Sequence, residues 1–139
     1  MTPLRQVYEV FLSKISDYTF LSLTPSQIEE DLFGYLRSAT TRFHRCKKDL
    51  SIQSNSLVST LTLFEIEILV TLMICEYMKP LILSSELMKQ SLSDKDFRIY
   101  SQANQIRELN LTYRMFRTEA QRLMTDYNYL DLSETDFRD

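Results

Sequence analysis

The scarcity of glycine constrains this chain more than any other feature, because Gly34 is the only glycine among 139 residues. The tight turns of sheet proteins need residues that tolerate positive φ, and glycine does so at the least cost. Prolines are also few, at positions 3, 25 and 80. Long helices with few connections fit this sequence better than a sheet, and we predict an all-α bundle of four to five helices.

Length and composition favour one globular domain. A chain of this length buries about two-thirds of the surface that it exposes when unfolded. Its apolar fraction of 44% is that of ordinary globular proteins. We predict the helical domain at residues 1–127 and an extended acidic tail at 128–139. The longest apolar stretch, residues 68–75, is far shorter than the roughly 20 residues of a membrane span, so we expect no membrane association.

Capping signals and apolar spacing place the first two helices. Thr2 and Pro3 predict an N-cap and first helical residue, for a helix that ends near residue 16 or 17. The run 24–27 predicts a capping box, which opens a helix over 25–47. The face predicted to be buried comprises Ile28, Leu32, Tyr35 or Leu36, Ala39 and Phe43.

The second half of the chain predicts two longer helices after a polar loop at 51–56. A second capping box at 62–65 opens a helix that is apolar on most sides, which indicates a central helix or one also covered by another subunit. Pro80 should kink or end this helix, with helix again to residue 92. The last helix starts at 93–96 and is long enough to overhang the bundle or pack on a neighbour. Its apolar stripe is Phe97, Tyr100, Ala103, Ile106, Leu109, Tyr113, Phe116, Ala120, Leu123 and Tyr127.

The sequence contains no pattern typical of a catalytic, cofactor or metal site. His44 lies among basic residues without a local partner or nucleophile, and a solvated or dipole-capping histidine explains it better than a general base. With Cys46 it supplies two of the four ligands of a closed zinc site. Phosphate-binding loops need several glycines. We therefore predict no enzymatic activity, no cofactor and no metal, and a reducing, cytosolic compartment for Cys46 and Cys75.

The most prominent polar feature is a basic run towards the end of the second predicted helix. It faces either a phosphate backbone or an acidic partner, or it complements the helix dipole. A net charge of −3 favours the interpretation that the run complements the helix dipole, because nucleic-acid-binding domains are usually basic. The alternative function that it suggests is a small helical nucleic-acid-binding or regulatory protein using residues 37–48. The basic residues of the run are Arg37, Arg42, Arg45, Lys47 and Lys48, and the last helix adds Arg107, Arg114, Arg117 and Arg122 as a solvated or intersubunit face.

The final residues, 128–139, predict a mobile segment or one that a partner orders. Four acidic residues and one arginine alternate there with apolar ones. The apolar side chains available as anchors are Tyr129, Leu130, Leu132 and Phe137.

Several runs carry a family resemblance over about residues 24–127. They are 63–73, Lys79-Pro80, 89–97 and 101–104, together with the pattern Glu29-x2-Leu32-x2-Tyr35-Leu36-x2-Ala39 in the second helix. These runs resemble head–tail connector proteins, also called adaptor or neck proteins, of tailed phages of Gram-positive hosts. The second-helix pattern is similar to the helix that opens many such adaptors.

The resemblance implies a structural virion protein. Such protomers form a ring, commonly of twelve subunits, between the portal and the next neck or tail component. DNA passes through the ring without specific binding, and a terminal extension, here 128–139, fastens onto the portal or a neighbour. The resemblance implies no active-site residues. It places the protein in the virion neck, and in the host cytoplasm during assembly.

Overall fold

The computed structural model describes the backbone of residues 1–15, 24–91 and 96–136, and their side chains except at 85–103, 105 and 131–136. The described residues form four helices and three two-residue strands. In chain order these are β1 (Thr2–Pro3), α1 (Leu4–Lys14), α2 (Pro25–Arg42), β2 (Ile52–Gln53), β3 (Ser56–Leu57), α3 (Leu63–Ser91) and α4 (Asp96–Asp136). The predicted all-α bundle with a long last helix is confirmed.

Helix α3 lies at the centre of the bundle, where α1, α2 and α4 pack against it. Its first half buries side chains on nearly every side, which confirms that an apolar circumference marks a central helix. The buried α3 residues are Ile66, Ile68, Leu69, Val70, Leu72, Met73 and Ile74. The surrounding helices contribute Val7, Phe11, Leu32, Leu36, Ala39, Ala120, Leu123 and Tyr127. Three helices of the same chain therefore cover this half of α3.

Both predicted capping boxes are present. The Thr24 hydroxyl accepts the Gln27 N–H, and the Gln27 side chain accepts the Thr24 N–H. At the start of α3, Thr62 and Glu65 exchange the same pair of bonds. Pro80 does not end α3, which continues to Ser91, because a proline removes one helical hydrogen bond without forcing the chain to leave the helix.

The predicted polar loop at 51–56 contains a β-hairpin instead. Strands β2 and β3 pair antiparallel, with Ile52 opposite Leu57, and β1 pairs with the other side of β3. The turn residues Ser54 and Asn55 have φ values of 50° and 61°. Positive φ at both positions is typical of a type I′ turn, and serine and asparagine adopt it here without a glycine.

Thr2 does not cap α1, so that prediction is wrong. It belongs to β1, and the residue at the N-cap position is Pro3, which makes no side-chain cap. The Thr2 hydroxyl instead donates to the Ser59 carbonyl at 2.8 Å and accepts the Leu61 N–H at 2.9 Å. The first residues are thus fastened to the segment that leads into α3.

Two helix ends differ from the prediction. Helix α2 ends at Arg42 rather than at residue 47, because the Phe43 N–H closes the last turn on the Ala39 carbonyl and the following residues turn towards α4. Helix α4 continues to Asp136, so residues 128–136 prolong it and do not form a separate extended tail. The predicted ends of the first helix and of the tail, at 16–17 and 137–139, lie outside the described residues, as does the predicted start of the last helix at 93–95.

Candidate functional site

A groove lies between the end of α2 and the second half of α4, and we call it the α2–α4 groove. It consists of two adjoining depressions of about 260 and 280 Å³. Four lining residues are common to both: Arg42, His44, Gln121 and Met124. The first depression adds Leu72, Cys75, Arg117 and Ala120, and the second adds Phe43, Arg45, Thr125 and Asn128.

The α2–α4 groove has an apolar floor and a basic rim. Leu72, Cys75 and Ala120 are buried at its base, whereas Arg45 and Arg117 are exposed at its edge. Burial raises the pKa of the Cys75 thiol, which therefore stays protonated at neutral pH. This combination suits an apolar group that is flanked by negative charge.

Only part of the positive charge at the rim is neutralised within the chain. The Arg42 guanidinium pairs with Glu76 at 3.3 Å, and Glu76 also pairs with Lys79 at 2.9 Å. No described carboxylate forms an ion pair with Arg45 or Arg117. The rim is therefore net positive, although the whole chain is acidic.

A buried polar cluster holds the α2 wall of the groove against α3 and α4. Glu65, 2% exposed, accepts hydrogen bonds from the Lys48 ammonium at 2.9 Å and from the Tyr127 hydroxyl at 2.8 Å. The Tyr127 oxygen also accepts the Lys47 N–H at 3.1 Å. The Tyr127 ring packs edge-on against Phe43, with centroids 5.2 Å apart. These contacts explain why the chain leaves α2 early.

The electrostatics of this cluster keep Glu65 ionised. Burial alone would raise the pKa of its carboxyl, but hydrogen bonds from Thr62, Lys48 and Tyr127 outweigh burial and lower it to about 2. Burial also raises the pKa of the Tyr127 hydroxyl, and hydrogen bonding to Glu65 adds to the effect. At neutral pH the pair is therefore a neutral phenol donating to a carboxylate, which is a strong, charge-assisted hydrogen bond.

The structure separates the five basic residues of the predicted run. Arg42 and Arg45 line the α2–α4 groove, while Arg37 lies outside it, 5.9 Å from the centre of the Phe33 ring. Lys47 lies over the Tyr127 ring at 5.8 Å, and Lys48 binds both Glu65 and the Thr60 carbonyl. The run therefore does not form one continuous basic surface.

Sequence reasoning named Arg117 only as part of a solvated or intersubunit face, and it missed Gln121 and Thr125 on the α4 side of the groove. Arg117, Gln121 and Thr125 follow one another at intervals of four along α4, beside the apolar stripe. That spacing places them on one edge of the helix and was the available signal. The spacing indicates a groove only when the end of α2 packs opposite this edge of α4, and no local sequence pattern predicts that packing.

The predicted tail anchors are only partly described. Tyr129 and Leu130 are exposed near the end of α4. Leu132 belongs to α4, but its side chain is outside the described set, and Phe137 lies beyond the described residues.

A separate and larger depression of about 710 Å³ lies outside the α2–α4 groove, where the N-terminal halves of α1 and α2 meet the hairpin. Tyr8, Glu29, Glu30 and Phe33 contribute to its lining. Burial, reinforced by the charge of Glu29, raises the pKa of Tyr8 to about 12. Its lining carries the two carboxylates of Glu29 and Glu30 against the single cation of Arg5, whereas the α2–α4 groove is basic.

Comparisons with protein-family models, curated proteins and solved structures find no significant match to the chain. Within the described ranges, no cluster of three histidine, cysteine or acidic side chains is placed to hold a metal ion. No helix in that part of the chain is both long and apolar enough to cross a bilayer.

Proposed function

We propose that this chain is a structural subunit of a tailed-phage neck, a head–tail connector that assembles as a ring between portal and tail. The observation that carries the proposal is the outer face of α4, which we define by Leu111, Met115 and Tyr129. These side chains are 56%, 59% and 71% exposed. Their spacings of four and fourteen residues place them on one side of the helix.

Helix α4 has apolar side chains on two opposite sides. Ile106, Ala120 and Tyr127 are buried in the bundle, whereas Leu111 and Met115 point away from it. At 1.5 Å per residue, the 41 residues of α4 form a rod of about 60 Å. The second apolar side of α4 is not used by the bundle, which supports packing against another protein. The resemblance to connectors implies that this protein is a neighbouring subunit or the portal.

The proposed mechanism is assembly without chemistry. One subunit presents the outer face of α4 to a neighbouring chain, and repetition of an off-axis contact closes a ring. Each contact must bury at least about 1,000 Å² to be stable. The ring extends the channel of the portal, and DNA slides through it without specific contacts.

The proposal is tested by mixing the purified protein with the portal ring encoded in the same genome, followed by size-exclusion chromatography and electron microscopy. We expect co-elution and an added ring of density. The double variant Leu111→Ser, Met115→Ser should lose co-elution, while Leu83→Ser, at a position of similar exposure on α3, should retain it. Absence of co-elution by the unmodified protein contradicts the proposal.

The nucleic-acid alternative is separated by a gel shift with duplex DNA at low salt. The structure gives two of its basic residues internal carboxylate partners, Glu76 for Arg42 and Glu65 for Lys48. A shift that weakens with salt and disappears on substitution of Arg42, Arg45 and Lys48 by alanine would replace the connector proposal with that alternative.

A further inference from the structure

We propose that the α2–α4 groove binds the acidic C-terminal segment, residues 128–139, of a second copy of this chain. The inference deepens the proposed self-assembly and rests on it. The groove is a different surface from the outer face of α4, which shares only Tyr129 with the segment. Three properties of the groove and the segment support it: their charges, the apolar floor, and the direction in which α4 leaves the groove.

The charges of the groove and the segment are opposite. Arg45 and Arg117 are exposed at the rim without a described carboxylate in ion-pair range, and only Arg42 shares its charge with Glu76. The segment contains Asp131, Glu134, Asp136 and Asp139 against a single base, Arg138. Opposite charges on two surfaces steer their encounter and fix which parts meet.

The floor of the groove favours a segment that is not merely acidic. Leu72 and Ala120 form an apolar base, and Met124, a side chain that adapts its shape, lies between the two depressions. The segment interleaves its acids with apolar residues, among them Tyr129 and Leu132. An apolar side chain seated on the floor would leave neighbouring carboxylates near the rim arginines.

The occupant must come from another molecule. Asn128 lines one end of the groove, and α4 continues as a helix to Asp136. Those eight further residues advance about 12 Å along the axis, away from the groove. A continuous helix cannot fold back onto its own side, so the segment is available only to a second copy. A contact between groove and segment is heterologous, the kind from which rings are built.

A peptide of residues 128–139 with a fluorescent label tests the inference, titrated with the full-length protein while anisotropy is recorded. We expect saturable binding that weakens as salt rises from about 0.02 to 0.2 M, because the rim charges are exposed. Arg45→Glu and Arg117→Glu should each weaken binding about tenfold. The matched control Arg107→Glu, an exposed α4 arginine outside the groove, should change it less than about twofold.

A charge exchange shows whether the contact is direct. A peptide with Asp131→Arg and Glu134→Arg should bind poorly to the unmodified protein and regain affinity for the Arg45→Glu, Arg117→Glu variant. Equal binding of a scrambled peptide of the same composition, unchanged binding by the groove variants, or no binding at low salt each overturns the inference.

The result is independent of the portal experiment. The Leu111→Ser, Met115→Ser variant should bind the peptide normally although it no longer co-elutes with the portal. If the unmodified protein co-elutes with the portal but does not bind the peptide, the groove contact alone is refuted. If it binds the peptide but does not co-elute with the portal, the connector role alone is refuted.

Discussion

Glu65 illustrates how far sequence reasoning extends for a single residue. Its capping role followed from its position three residues after Thr62, and the structure confirms that role. Its bonds to Lys48 and Tyr127 were not predictable, because Tyr127 is 62 residues distant in the sequence. Local spacing encodes a cap, whereas a contact between separate elements depends on how the helices pack.

The low pKa of Glu65 predicts an acid-dependent loss of stability. Its folded pKa of about 2 lies below the ordinary value of 4.5, so its contribution is complete above pH 4.5 and is lost as the pH falls towards 2. The contribution at neutral pH is on the order of 3 kcal/mol, since each pKa unit corresponds to about 1.4 kcal/mol. Glu65→Gln should lower the free energy of unfolding by about 2–4 kcal/mol at pH 7 and by much less near pH 2.5.

Urea unfolding at a series of pH values measures this difference. The matched control is Glu67→Gln, two positions along α3, where a half-exposed carboxylate pairs with Lys14. It should cost less than about 1 kcal/mol at any pH. Parallel stability curves for the Glu65 variant and the unmodified protein would refute the assignment of the acid dependence to Glu65.

At the scale of elements, the helices were predictable and the hairpin was not. The capping boxes and the apolar spacing placed the starts of α2 and α3 correctly. The hairpin was missed because its turn is Ser54-Asn55, without the glycine that usually marks a type I′ turn. The end of α2 was predicted five residues too late, because contacts with Tyr127, and not local propensity, divert the chain after Arg42.

The turn geometry predicts opposite effects for glycine at two neighbouring positions of the hairpin: glycine should stabilise it at position 54 and destabilise it at position 53. Ser54 has a φ of 50°, a conformation that costs a serine about 1 kcal/mol and a glycine almost nothing. Ser54→Gly should therefore raise the free energy of unfolding by about 0.5–1 kcal/mol. Gln53→Gly, in the adjoining exposed strand position, should lower it by a similar amount, since glycine only adds flexibility there. Thermal unfolding of both variants measures the sign, and equal signs would contradict the turn assignment.

For the whole molecule, the all-α class followed from one glycine and the apolar periodicity, both of which are properties of the sequence alone. The candidate site did not follow in the same way. Arg42, Arg45 and Arg117 were named in separate helices, but that they meet in one groove depends on the three-dimensional packing of α2, α3 and α4. Binding surfaces shared between distant elements therefore have to be read from the structure.

The position of Glu65 has a consequence for how the molecule opens. The same carboxylate starts α3 and receives the hydroxyl of Tyr127 near the end of α4. Fraying of the first turn of α3 therefore removes the acceptor of the Tyr127 hydroxyl, and detachment of α4 removes one donor from the carboxylate that caps α3. The bonded N–H groups of this turn begin at Glu65. We expect amides 65–68 and 120–127 to exchange with deuterium as one cooperative unit. Tyr127→Phe should separate the two exchange rates, and Tyr129→Phe, at an exposed hydroxyl, should not.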